Sequence, residues 1–234
     1  MASSTRAERA PRGAPSKTEL RVYLLVEDLQ RQFAAFMATP TRARGYPPYE
    51  GEHSLIVEVA PGLAIERVIH LALQGSAKVE PGILFVERQF GVLEIHGKSL
   101  EEVKEAGASI LMGIGAKATD QLRPETLFSD VIEGITDQHA AIINRNRSAS
   151  MVLPGESLLV YELKPALFAA MAANEAEKAV PENTLVDVSM IGAAGRIYIS
   201  GTREGVELAR ERIASALEAV QGRDGDGGRS SLSA

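Results

Sequence analysis

The stretch Gly51-Glu-His-Ser-Leu-Ile-Val-Glu-Val-Ala-Pro61-Gly-Leu63 is answered 104 positions later by Gly155-Glu-Ser-Leu-Leu-Val-Tyr-Glu-Leu-Lys-Pro165-Ala-Leu167. Without gaps the correspondence runs on to Gly97 and Gly201, with Ala72/Ala176, Gly91/Gly195 and Ile95/Ile199 identical on the way. Just upstream, Val26-Glu-Asp-Leu-Gln-Arg-Gln-Phe-Ala-Ala35 answers Ile132-Glu-Gly-Ile-Thr-Asp-Gln-His-Ala-Ala141 at a spacing of 106. Solenoid units repeat every ~20–50 residues. A period twice that length is a whole small domain, duplicated and fused. Fused copies commonly keep the packing of an ancestral homo-oligomer, so the repeat directs attention to symmetric assembly.

Each copy is long enough for its own core. The spacing places strands near Leu20–Val26, Leu55–Val59, Ile83–Glu87 and Val92–His96. Helices follow over Gln30–Ala38, from Pro61 to Ser76, and over Leu100–Gly115. Proline suits a first helical turn, and Ser99 is a plausible N-cap for the last of these helices. The second copy repeats the order. Its strands lie near Val131–Ile135, Leu158–Leu163, Leu185–Met190 and Arg196–Ser200, and its helices over Asp137–Asn144, Pro165–Ala179 and Glu204–Val220. The expected fold class is α+β, each unit a mostly antiparallel sheet with helices on one face. The expected domains are 19–121 and 122–221, joined through 113–128, with compositionally disordered tails at 1–18 and 222–234. Ala166, Ala169, Ala170, Ala172, Ala173, Ala176 and Ala179 crowd one helix. They give either a thin surface for close backbone approach or simply a good helix former.

Composition excludes several functions. No cysteine is present, so disulfides, thiol nucleophiles and Cys-ligated metal sites are ruled out. A net charge of −6 and sparse aromatics, 5% of residues, argue against nucleic acid as a partner. No apolar run reaches the ~20 residues of a membrane span. The N-terminal arginines lack a following apolar core, so they are no secretory signal, and the cytoplasm is the expected location. The histidines are His53, His70, His96 and His139. Only Glu94 and His96 share a strand face, and two ligands make no metal site. No Ser–His–Asp spacing or Gly-x-Ser-x-Gly elbow occurs, and Met112-Gly-Ile-Gly115 lacks a dinucleotide fingerprint. No catalytic residue, metal or cofactor is expected. Asn144-Arg-Asn-Arg147 reads as a polar, basic loop, either a contact between subunits or a solvated turn.

The two copies diverge most tellingly between their last two strands. One turn reads Glu87-Arg88-Gln89-Phe90-Gly91, and the other Ile191-Gly192-Ala193-Ala194-Gly195. A charged turn opposite a small apolar one suits two units facing a shared space; an exposed hairpin with a weak ion pair is the plainer alternative.

Ala173-Asn-Glu-Ala-Glu-Lys-Ala179, Leu185-Val-Asp-Val188, the Ile191–Gly195 turn and Gly201-Thr-Arg-Glu-Gly-Val206 together resemble the bacterial microcompartment shell-protein domain. The element order, with a strand and short helix ahead of each core, resembles its circularly permuted, ferredoxin-like form. Two such units in tandem are similar to the double-domain shell proteins of carboxysomes and their catabolic relatives. The resemblance implies a homotrimer shaped as a pseudohexamer, set among other, hexameric shell proteins. It also allows two trimers to stack, and it implies a gated central pore passing small metabolites. The gate would be Glu87 and Arg88, and Lys178 would match a lysine at the shell edge. A cytoplasmic trimeric ferredoxin-like regulator binding a small anionic ligand is the alternative.

Overall fold

The computed structural model describes residues 17–39 and 45–225. Most of both expected tails, and residues 40–44, lie outside these residues. The first unit runs β1 (Glu19–Val26), α1 (Arg31–Met37), β2 (His53–Ala60), a 3-10 turn at Gly62–Ala64, α2 (Ile65–Gly75), β3 (Glu80–Glu87), β4 (Phe90–Gly97) and α3 (Leu100–Ile114). The second runs β5 (Glu125–Ile132), α4 (Asp137–Asn146), β6 (Ser157–Lys164), α5 (Phe168–Ala179), β7 (Thr184–Ser189), β8 (Gly195–Gly201) and α6 (Arg203–Glu218).

Each unit holds one four-stranded antiparallel sheet, ordered β1-β2-β4-β3 and β5-β6-β8-β7. The registers match position for position. Even the irregularity between Leu20 and Val22 recurs between Thr126 and Phe128. Gly51 and Gly155 both take left-handed backbone, at φ +83° and +87°, which explains their identity. Gly91 and Gly195 are fixed by crowding instead. A Cβ on Gly91 would lie 2.2 Å from the Gly62 carbonyl oxygen, and one on Gly195 would lie 2.4 Å from that of Ala166.

Pro61 does not open α2. It precedes a 3-10 turn, its carbonyl accepting from Ala64 N–H at 2.9 Å, and Pro165 does the same for Phe168 at 3.2 Å. Both prolines follow cis peptide bonds. The strand expected at Val131–Ile135 starts earlier, at Glu125, so the connection between units is shorter than the expected 113–128. Edge strand β5 is open along most of its length, with Glu125–Phe128 and Asp130 exposed. Asn144 and Asn146 belong to the last turn of α4 rather than to a loop. The Asn144 side chain clasps both backbone groups of Val152, at 2.8 and 3.0 Å.

The two units share a core. α2 and α3 cover one face of the first sheet through Leu55, Val57, Leu93 and Ile95. The other face offers Val22, Leu24, Val26, Ile56 and Val92. With Phe33 of α1, these residues merge into the same apolar cluster as Phe168, Ala169, Ala172, Ala173 and Ala176 of α5. The alanines of α5 therefore do serve close approach: without bulk on that face, β1 and α1 pack directly on the helix.

Polar groups fix the junction. α1 has no cap of its own, and the Glu177 carboxylate of α5 accepts the backbone N–H groups of Gln32 and Phe33, at 2.7 and 3.0 Å. Asn174 accepts from Gln30 N–H at 2.8 Å. Residues 222–225, which composition reads as tail, are ordered against the connection. Arg123 N–H donates to Arg223 O, and Arg223 N–H donates to Gln121 O, both at 2.8 Å. The Arg223 guanidinium reaches Glu19 of β1.

Candidate functional site

The turn between β3 and β4 is tight, with Glu87 paired to Phe90 across it. Arg88 takes φ +53°, left-handed backbone that costs an ordinary residue about 1–2 kcal/mol. That conformation turns its side chain into solvent, where the guanidinium stands 3.7 Å from the Glu87 carboxylate. An ion pair this exposed contributes little to stability, so both side chains are available to other partners. Gln89 completes the turn.

Phe90 is held more firmly. The Arg21 guanidinium lies 3.8 Å above its ring centroid, a cation–π contact. The same arginine donates to Glu58 at 2.8 Å. Burial raises the Glu58 pKa against the pull of Arg21, which makes the arginine a necessary companion there. The equivalent glutamate, Glu162, accepts from Arg196 at 2.8 Å. Two identical glutamates are thus answered by arginines from different strands, Arg21 on β1 and Arg196 on β8.

After the exposed Ile191, the second turn presents little side-chain volume over Gly192–Ala194, and Gly192 has φ +119°. The two turns converge on one space. Phe90 from the first and Gly192 and Ala193 from the second line a cavity of about 330 Å³ between the units. Its remaining wall is largely charged, with Arg123, Lys164, Arg223 and Glu125 among its residues. Glu87, Arg88, Gln89, Ile191 and Ala194 are not in that wall; Arg88, Gln89 and Ile191 are exposed at the tips, and Glu87 and Ala194 are half-buried.

Lys178 lies apart from this group, at the end of α5. Its ammonium donates to the Glu27 carbonyl at 2.6 Å and to Glu175 at 3.0 Å, so it joins the two units within the chain. Among the described residues no group of three or more His, Asp or Glu could hold a metal ion, and no helix is long and apolar enough to cross a membrane. Sequence reading missed Arg21, Glu58 and Arg223. A signal existed for Glu58, a charge repeated as Glu162 in the middle of two otherwise apolar strands.

Comparison with known proteins gives a consistent family. Residues 20–120 match the family model described as the CsoS1D N-terminal domain. The chain is 40% identical over 212 residues to the carboxysome shell protein CcmP of Synechococcus elongatus, covering 91% of this chain and 98% of that protein. It is 39% identical over 201 residues to the carboxysome shell protein CsoS1D of Hydrogenovibrio crunogenus, covering 86% and 96%. Among solved structures, a double ringed trimeric shell protein from the RMM microcompartment is 65% identical, with a TM-score of 0.85, over 89% of this chain and 100% of that one. A fused permuted hexameric shell protein from the same compartment is 45% identical, with a TM-score of 0.83, over 88% and 100%.

Proposed function

This chain belongs to the double-domain shell proteins of bacterial microcompartments, and from that premise we propose that it forms a trimeric ring whose centre is a pore gated by Glu87 and Arg88. The role is structural, not enzymatic, and a small-molecule regulator is not favoured.

The observation that carries the ring is the unequal burial of equivalent residues. Leu167 is 0% exposed, whereas its counterpart Leu63 is 76% exposed. Val22 is 0% exposed, whereas its counterpart Phe128 is 53% exposed. One junction between units is made inside the chain. The matching surfaces, Leu63 and Leu73 on the first unit and Leu127, Phe128 and Ile142 on the second, are left bare. Bare apolar surface of that extent marks a binding face. Because the two faces differ, the contact is heterologous, and such a contact gives a ring when the rotation it repeats closes on itself. Three chains supply six units and close the ring. Stacking of two such rings fits the double ringed relative.

In that ring the charged and the small turns alternate about the axis. Three Glu87–Arg88 pairs reaching across the opening would close it with charge-assisted hydrogen bonds. Turned toward solvent, as within one chain, they leave it open. A guanidinium at the rim suits carboxylate or phosphate cargo. Lys178 meets its partners inside the chain, so an edge role would require releasing Glu27 or Glu175. The test is cryo-electron microscopy of wild type and of Glu87→Ala with Arg88→Ala. The variant should keep the trimer and show only open pores, and a sealed axis in the double variant would reject the gate.

A further inference from the structure

The first sheet buries a paired carboxylate and imidazole where the second has a half-buried tyrosine and a buried serine. Ser54, Glu94 and His96 lie on the face away from α2 and α3, with Glu94 0% and His96 1% exposed. Ser54 Oγ donates to Glu94 Oε1 at 2.6 Å, and His96 Nδ1 lies 3.2 Å from the same oxygen. His96 Nε2 is buried without a hydrogen-bond partner, and Glu80 Oε2 stands 4.0 Å from it. The equivalent residues of the second unit are Leu158, Tyr198 and Ser200.

A strap of backbone, residues 45–52, crosses this end of the sheet. Gly45 N–H donates to Gly82 O at 2.8 Å and Tyr46 N–H to Pro81 O at 2.9 Å. The second unit makes the same two ties more loosely, Ala149 to Val186 at 3.3 Å and Ser150 to Leu185 at 3.1 Å. The first unit is cut to fit its carboxylate. A Cβ on Gly82 would lie 2.1 Å from Glu94 Oε2, and the equivalent Val186 fills that place with a buried side chain. A buried ion pair is a poor device for stability alone, since desolvation offsets much of the attraction, and a switch is among its better-attested uses.

We propose that Glu94 and His96 form a proton-linked clamp that holds the 45–52 strap against β3 in the first unit only. The groups facing the imidazole are Glu94 on β4, Glu80 on β3, Glu52 at the strap's end and Ser54 on β2. Burial alone would lower the histidine pKa. The hydrogen bond and charge of Glu94, joined by Glu52 and Glu80, outweigh it and hold the pKa above its ordinary value. A raised histidine pKa means the clamp is complete below the ordinary value and lost as pH rises through the raised one. Above it, the imidazole loses the charge that faces Glu94, Glu52 and Glu80, and the strap detaches.

Hydrogen exchange of the full-length assembled protein from about pH 6 to pH 9, corrected for intrinsic rates, tests this across the histidine range. Protection of the 45–49 segment should fall at least about tenfold across that range, roughly 1.4 kcal/mol. The 149–153 segment, which lacks the ion pair, should hold. His96→Gln should abolish the step. Glu80→Gln, an exposed change that leaves the core intact, should move its midpoint to lower pH. The clamp is overturned if both straps follow one curve, if the step survives in H96Q, or if E80Q leaves the midpoint in place.

Discussion

Glu177 caps a helix it does not belong to: its carboxylate accepts the Phe33 N–H at 3.0 Å from the other unit. A buried cap bridging two units ties their stabilities together. Glu177→Ala should cost about 1–3 kcal/mol, the loss of a cap plus two buried N–H groups without partners. Thermal melting should show one lowered, still single transition. The equivalent residue Leu73 caps nothing, because α4 is capped by its own Thr136, so Leu73→Ala should leave the melt of the dissociated chain unchanged.

The bare faces predict the assembly. Leu63→Arg places a charge where a neighbouring chain must bury an apolar group. Light scattering at micromolar protein should show the trimer replaced by a folded monomer, with circular dichroism unchanged. Trimers that persist in the variant would mean that Leu63 lies outside the contact.

The turn at Arg88 carries its own prediction. Glycine adopts the left-handed backbone without penalty, so Arg88→Gly should stabilise the chain by about 0.5–1 kcal/mol after glycine's extra entropy loss. Denaturant unfolding would measure it. A functional residue retained at a cost to stability is what a gate position should show, and a destabilised variant would contradict the strain.

Acid sensitivity should trace to Glu175. Burial alone would raise its pKa, but hydrogen bonds from Lys178 and Arg212, with their charges, hold it below the ordinary glutamate value. A depressed carboxylate pKa contributes stability above the unfolded value and loses it as pH falls through the folded one. Glu175→Gln should therefore lower stability at neutral pH and flatten the acid limb of the stability curve. An unchanged acid limb would assign that limb to other carboxylates.

Much of this was legible because the repeat aligned two noisy signals. Strands such as β2 and β6 confirmed each other, and glycines 91 and 195 stood out as shared requirements of packing. Pro61 and Pro165 misled because composition cannot tell the first residue of a helix from the residue ahead of a 3-10 turn. β5 was misplaced because Leu127 and Phe128 are exposed within the chain and break the alternation expected of a half-buried strand. The divergence of the two turns pointed to a shared space; Phe90, Gly192 and Ala193 line one cavity, while Glu87, Arg88, Gln89, Ile191 and Ala194 stay outside it. The supporting arginines were not legible, since Arg21 and Arg223 act across more than thirty residues and leave no local pattern. Lys178 matched a motif whose surroundings only the folded pair of units supplies.

The short connection between α3 and β5 changes how such a ring responds to dilution. Half of its six junctions lie inside a chain and are held at an effective concentration on the order of millimolar. They stay formed however few molecules are present. Only the other three junctions depend on how often chains meet. Disassembly should therefore stop at the half-saturated building block, and a shell drawing on this protein can dismantle and rebuild its rings without ever exposing the shared core around Phe33 and Phe168.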